Sequence, residues 1–420
     1  MHCKPFFAPL ATFIGLASTA LATQSAAPEP VAAEVEPAPS PVAFALTATG
    51  ELWHNASGGL ATGSRWNSLA DLSVEFDLAR LGGPVGSSFT AQLFWIENQY
   101  TTADFADLTG AANPVSGINA ADSWRLFNLF YRQSWANDRF ALKLGQLAID
   151  DDFMGSDFAG LFAHSALGAM PSQVATPHGA ATGGGSAYPI YAVAAPGVHF
   201  SATVNDKFAL QLGAYHGGPG PDERSNHGTD WDDGSGQGLV LFYEGAYSFD
   251  LAGRPSTLRV GGAVHTGRFD DFKALATDAD APEVRGLSSF YLVHDIVLAA
   301  RDAEHPLLGA FWRAGLSPQL DRSAVARYAD AGLNWFAPLP GRADDIAGLA
   351  VSYTEYGDAY RRLDPALAAA ETALELTYRA QLTERLALQA IVQRHVNPLA
   401  ADDGSRHAAT VLGLRAEVSF

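Results

Sequence analysis

The last ten residues, Val411-Leu412-Gly413-Leu414-Arg415-Ala416-Glu417-Val418-Ser419-Phe420, decide the fold. Leu412, Leu414, Ala416, Val418 and Phe420 share one face of an extended chain. Arg415, Glu417 and Ser419 share the other. Side chains alternate with a period of two along a strand, so one face is apolar and the other charged. A terminal Phe on such a strand resembles the signal read by the bacterial barrel-assembly machinery.

Working back along the chain, the same pattern recurs. Leu72, Val74, Phe76 and Leu78 alternate with Asp71, Ser73, Glu75 and Asp77. Phe89, Ala91, Leu93 and Trp95 alternate with Ser88, Thr90 and Gln92. Phe127, Leu129 and Tyr131, then Phe140, Leu142 and Leu144, continue it. In the second half it returns at Leu258–Val264, Leu374–Tyr378 and Leu386–Val392. Leu376 and Leu388 read as lipid-facing. Thr377 and Gln389 read as lumen-facing positions that would accept a charge. Between these segments lie short turns (Asn137-Asp138, Asn205-Asp206) and long Gly-, Pro- and Asp-rich stretches such as Gly217 to Gly238.

No later segment is a run of about 18 apolar residues, so no helix is expected to span a membrane. A membrane chain without such helices must close its strands, because lipid leaves backbone groups unpaired. The expected fold is therefore all-β, a transmembrane antiparallel barrel with inward-folded extracellular loops. A span of about ten residues plus alternating turns and loops gives about 16 strands, with 14 or 18 left open.

The N-terminus carries Lys4, the apolar stretch Phe6 to Leu21, and the small-residue signature Ala20-Leu21-Ala22. This predicts a secretory signal over 1–22, a Pro/Ala/Glu-rich tether over 23–41, and a barrel domain over 42–420. The one cysteine, Cys3, falls in the signal, so disulfides, thiolate metal sites and Cys nucleophiles are excluded from the mature chain. The formal net charge of −19 argues against nucleic acid, whose phosphates need basic patches.

Enzyme constellations are not found. There is no H-E-x-x-H. Gly183-Gly184-Gly185-Ser186 lacks the Lys of a phosphate loop. Asp150-Asp151-Asp152 has no spaced ligand loop behind it and reads as a turn at the barrel rim. His216 and His227 share one loop. No catalytic residue, metal or cofactor is assigned.

Arg is a fixed cation with a planar fork of donors, and carboxylates accept in return. By phase, the inward-facing candidates for lining a pore and binding solute are Glu51, Trp53, Asp71, Glu75, Arg132, Lys143, Arg259, Arg313, Glu375, Arg379, Arg415 and Glu417. Each is equally a candidate for an ion-pair ladder bracing the wall. The stretch from Asp151 to Gly197 lacks alternation. It holds one amphipathic segment (Phe158, Leu161, Phe162, Leu167) and is expected to narrow the pore.

Several short strings have a further likeness. Gly145-Gln146-Leu147-Ala148-Ile149-Asp150-Asp151-Asp152-Phe153, Ala187-Tyr188-Pro189 and Pro196-Gly197-Val198 recur in order. Leu388-Gln389, Gln393, Asn397-Pro398, Gly413-Leu414-Arg415 and Phe420 follow, with Asn55, Gly58-Gly59 and Asp77-Leu78 early on. Their order and spacing resemble the carbohydrate-selective porin family (OprB-like) from about residue 45 to the end. The resemblance implies a 16-stranded outer-membrane barrel with a narrowed pore tolerant of mono- and disaccharides. Ala390, Ile391 and Arg394 stand where that family usually has Pro, Asp and Tyr, a departure expected to bear on pore contents.

The expected role is passive diffusion of small hydrophilic solutes, carbohydrates by resemblance. Two alternatives stay open: a general, ion- or organic-acid-selective pore, and a barrel with a structural or enzymatic role. Expected partners are those solutes, outer-membrane lipid and lipopolysaccharide, and the assembly machinery through Phe420. A homo-oligomer is left open. Protein recovered from outer membranes should begin at Thr23, and deletion of Phe420 should lower outer-membrane yield. A retained leader, or normal yield of the deletion, would count against this reading of the two ends.

Overall fold

In a computed structural model, residues 40–99, 106–302, 305–400 and 407–420 are described. The expected signal and nearly all of the tether lie outside them. The strands are β1 (Val42–Ser57), β2 (Gly63–Asp77), β3 (Ser87–Asn98), β4 (Ser123–Trp135), β5 (Phe140–Leu147), β6 (Ala195–Asn205), β7 (Phe208–His216) and β8 (Leu239–Asp250). They continue as β9 (Pro255–Phe269), β10 (Val284–Ala300), β11 (Pro306–Leu316), β12 (Val325–Phe336), β13 (Ile346–Tyr356), β14 (Ala370–Gln381), β15 (Leu386–Val396) and β16 (Ala409–Ser419). Each pairs antiparallel with its sequence neighbours, and β16 closes on β1 to make a barrel of 16 strands. A barrel of this size leaves an aqueous interior that side chains alone do not fill.

Closure is set at the sequence ends. Glu51 pairs in register with Arg415, Trp53 with Gly413, and Leu52 with Leu414. Beyond the ladder, Phe420 N–H donates to Leu46 C=O at 2.9 Å, so the terminal residue extends the pairing. Its ring lies 5.8 Å from the Arg385 guanidinium. Gly413 is required where it stands, since a Cβ there would come within 2.3 Å of the Trp53 ring.

Connections differ between the two rims. One rim has tight turns at 136–139, 206–207, 251–254 and 382–385. Asn137 and Asp138 there take positive φ of 55° and 60°, a conformation these short polar residues tolerate. The other rim carries the long connections, including 148–194 and 217–238. Short turns inside and long loops outside is the outer-membrane pattern, which makes the second rim extracellular.

The alternation holds on the outer wall, except that a bulge in the β3–β4 pairing turns Phe127, expected beside Leu129 on the lipid phase, into a buried cluster with Phe94 and Ile96. Leu349, Leu376, Leu412 and Leu414 are all exposed on that wall. The inner wall departs from expectation. Thr377 and Gln389 are buried beneath the 148–194 connection, which folds into the barrel, so neither position is a wet site that would accept a charge. The amphipathic segment is also inside. Phe158, Phe162 and Leu167 pack on Phe311 and Ala350 of the wall. Gly309 makes room for Phe158, whose ring would sit 2.4 Å from a Cβ at that position. A larger cluster joins Ile149, Phe153, Met154, Met170 and Tyr188 to Tyr215, Phe242, Tyr291 and Tyr328. Smaller clusters lie against β1, β15 and β16 and against β3 and β4, so much of the interior is packed, burying large side chains worth about 1.5–3 kcal/mol each.

Arg in place of Leu376 should destabilise the barrel by about 2–4 kcal/mol near the bilayer midplane. Arg in place of Thr90, which pairs in register with Glu75 on the inward face, should be tolerated. Urea midpoints of barrels refolded into vesicles measure the difference. Equal midpoints for the two variants would overturn the assignment of faces.

Candidate functional site

The inward side chains form hydrogen-bonded rungs that run across strands. Arg415 contacts Glu51 at 2.5 Å, and Trp53 Nε1–H donates to the same carboxylate at 2.8 Å. Asn67 donates to it as well. Next along the wall, Gln92 donates to both oxygens of Asp71 at 3.0 and 2.9 Å. Asn128 Nδ2–H bridges Gln92 and Asp151, each at 2.7 Å. Lys143 reaches Asp152 at 2.6 Å. On the other flank, Arg379 pairs with Glu417 at 2.9 Å across the row Arg379–Gln389–Arg415.

A second set of inward groups is spent on the inserted backbone. Glu375 accepts from the N–H groups of Ala163 and His164, both at 2.9 Å. Glu371 accepts from those of Ala112 and Asn113 at 3.0 and 2.9 Å. Glu244 accepts from Met154 N–H and from Tyr291. Donors complement them. Arg313 pairs with Asp330 at 2.5 Å and gives its other N–H groups to the carbonyls of Met154, Ala166 and Gly168. Tyr328 donates to Ala166, Asn334 to Phe158, Gln389 to Leu161 and Gln393 to Val115. Arg259 holds Asp295 at 2.5 Å and the loop's Asp157 at 2.9 Å.

The twelve sequence candidates therefore divide by burial. Trp53, Arg313, Glu51 and Glu375 are buried and touch wall and loop atoms. Trp53 lies beneath Leu108, Val115, Ala163 and Ile391. Arg259, Lys143 and Asp71 are half-buried. Glu75 is exposed, and the Arg132, Arg379, Glu417 and Arg415 side chains keep exposures of 33%, 27%, 33% and 15%. Residues that sequence reasoning did not select include Glu244, Asp330, Asn334, Glu371 and Gln393. Each sits on the inward phase, so phase alone could have suggested them. Nothing in sequence tells which loop atom each would meet.

The three departures from the family pattern fall elsewhere than expected. Ala390 and Arg394 are exposed on the outer wall, and Ile391 is buried in the cluster around Trp53. None faces open lumen. His216 and His227 both engage loop backbone, Gly218 N–H and Trp124 C=O respectively.

Enclosure shifts the loop's ionisable groups. Burial pushes Asp150 up to about 6, against the hydrogen bond from Tyr191 N–H. Asp151 is raised too, first by enclosure and then by Asp150 and Asp152. Its side chain is nevertheless open to lumen water, which screens part of that rise. Burial drives the His164 imidazole well below its ordinary range, and His395 beside it adds to the effect.

Replacing Glu375 with Ala would strand two buried loop N–H groups, at about 1–3 kcal/mol each. The expected result is a barrel of unchanged β content whose 148–194 connection is cut by protease and whose single-channel conductance rises. Wild-type conductance and resistance would show that the loop does not depend on this anchor.

Comparison with known proteins agrees with this geometry. Residues 63–420 match the model of the "Carbohydrate-selective porin, OprB family". The high-pH structure of Pseudomonas putida OprB superposes with a TM-score of 0.79 at 19% identity, covering 90% of this chain and 94% of that one. Its low-pH structure gives 0.55 at 14% identity, with 90% and 92% covered. The outer membrane channel DcaP of Acinetobacter baumannii gives 0.51 at 12% identity, with 90% and 97% covered. No curated protein sequence matches. A 16-strand barrel, a long connection folded into it, and a family match over most of its length place the chain in the outer membrane as a member of the OprB family of carbohydrate-selective porins.

Proposed function

We propose that sugars cross this barrel passively along the side formed by β14, β16 and β1–β5, opposite the packed loop core. The observation that carries this is the distribution of exposure. Glu75, Arg132, Asp151, Arg379 and Glu417 keep open surface, while the inward groups of β8–β13 are largely consumed by the inserted loop. The open set alternates fork donors with carboxylate acceptors. A sugar hydroxyl is both donor and acceptor, so it can exchange partners stepwise along such a wall without leaving any group unpaired. A monosaccharide or disaccharide is the solute this chemistry suits.

The same reading gives the chain no catalytic step. Its buried polar clusters are spent mainly on loop backbone and on each other. Export through the periplasm and assembly through the terminal strand complete the proposal. Residues 1–22 act as the signal, 23–41 as a tether, and Phe420 as the assembly mark.

Liposome swelling with sugars and amino acids of matched size tests the substrate class. Faster entry of sugars supports it, and equal rates would favour a general pore. For the wall itself, Arg132 and Arg379 are better probes than Arg415, whose removal would leave Glu51 as an unpaired buried charge. Ala at both should shift reversal potentials toward cations, because Asp138 and Glu417 lose their partners. The shift should fade at 1 M salt, where the Debye length is about 3 Å. Sugar block of ion current should also weaken. Wild-type values for both would place the solute path elsewhere.

A further inference from the structure

The outer wall carries a tryptophan-lined hollow outside the channel. Trp66, Trp95 and Trp124 stand on adjacent strands β2, β3 and β4, and Trp95 pairs in register with Trp124. They alternate with buried inward residues (Asn67, Phe94, Ile96, Arg125), so all three face outward. With Glu97, Arg224 and His227 they line a space of about 360 Å³ just below the extracellular rim. The 217–238 connection makes its far wall. His227 stacks on Trp124 with ring centroids 4.3 Å apart, and its backbone carbonyl accepts from Leu126 N–H at 3.0 Å. The hollow is therefore fixed by loop and strand together.

Two of its groups are out of place for a lipid-facing surface. Glu97 follows the outward phase of Trp95 and is exposed. Neither its carboxylate nor the Arg224 guanidinium has a side-chain hydrogen bond or ion pair among the described residues. A hydrocarbon chain would satisfy the tryptophans and leave both charges bare. A phosphate would satisfy Arg224 and be repelled by Glu97. A sugar ring meets all three demands. Its hydroxyls donate to the carboxylate and accept from the guanidinium, and its C–H face lies on an indole.

We propose that this hollow binds an unphosphorylated sugar of an outer-leaflet glycolipid, lipopolysaccharide, against the outside of the barrel. Position selects the source. Belts of aromatic residues mark the headgroup level of such barrels, and sugars at that level on the outer face belong to the lipid. Solute sugars pass on the other side of the wall.

The test uses the full barrel refolded in detergent free of glycolipid. It is then titrated with phospholipid vesicles with and without lipopolysaccharide, and retained glycolipid is counted by native mass spectrometry. Wild type should hold about one glycolipid per chain. Glu97→Gln and Arg224→Ala, which keep every tryptophan, should bind about tenfold more weakly, as loss of a central contact does. Conductance and sugar entry should stay at wild-type values, which separates this site from the channel. Equal retention by wild type and both variants would overturn the proposal. So would tight binding of free glucose to the same residues, which would make the hollow a solute site.

Discussion

An irregular chain folded into a barrel must have every buried amide paired, and the rest of this structure depends on that constraint. The 148–194 connection contains only single turns of helix, so its own bonds, such as Phe162 N–H to Ala159 C=O, pair only part of its backbone. Water cannot pair the rest where Phe158, Phe162 and Met154 exclude it. The wall does it instead. Carboxylates at 244 and 375 take the loop's N–H groups, and the side chains of Arg313, Tyr328, Asn334 and Gln389 give to its carbonyls, while Glu371 and Gln393 do the same for Asn113 and Val115 of the connection between β3 and β4. The barrel interior is thereby packed by its loops, and open side chains remain where the loops do not reach.

The cost of burying Arg313 follows from the same logic. An isolated guanidinium in such a place would be prohibitively expensive. Here it has Asp330 and three carbonyls, so all of its fork is engaged. The pair ties β11 to β12 and both to the loop. It sets the depth at which the loop sits, and hence how much of the interior stays open.

These relations decide what could be read from sequence. Alternation at Leu412–Phe420 and Leu72–Leu78 states which face meets lipid, because lipid tolerates few exceptions. The inward face meets two environments, water and folded loop, and both take polar residues. Arg379 and Arg313 therefore look alike in sequence, while one retains open surface and the other is sealed. Ile391 shows the reverse case. An apolar residue on the inward phase reads as an anomaly in a wet pore, yet it is ordinary once Leu108 and Val115 are seen to lie over it. The family motifs acquire reasons in the same way. Gly413 clears the Trp53 ring, Leu414 faces lipid, and Arg415 neutralises Glu51.

A net charge of −19 points toward a cation channel, but many of the acids are buried or paired. Glu375, Glu371 and Glu244 are buried acceptors, and Asp330, Asp295, Asp152 and Glu51 are each matched to a nearby cation. Others, such as Asp230, Asp232 and Asp233, lie in the 217–238 connection outside the strands. The open cations are paired, Arg379 with Glu417 and Arg132 with Asp138, while Glu75 and Asp151 stay open with no ion-pair partner among the described residues. Paired charges largely cancel at a distance, so an ion feels little net field, and salt screens what is left. At contact they do not cancel, because each partner keeps donors or lone pairs to spare. Along the proposed path, a wall whose cations are paired and whose donors and acceptors alternate suits neutral, hydroxyl-bearing solutes.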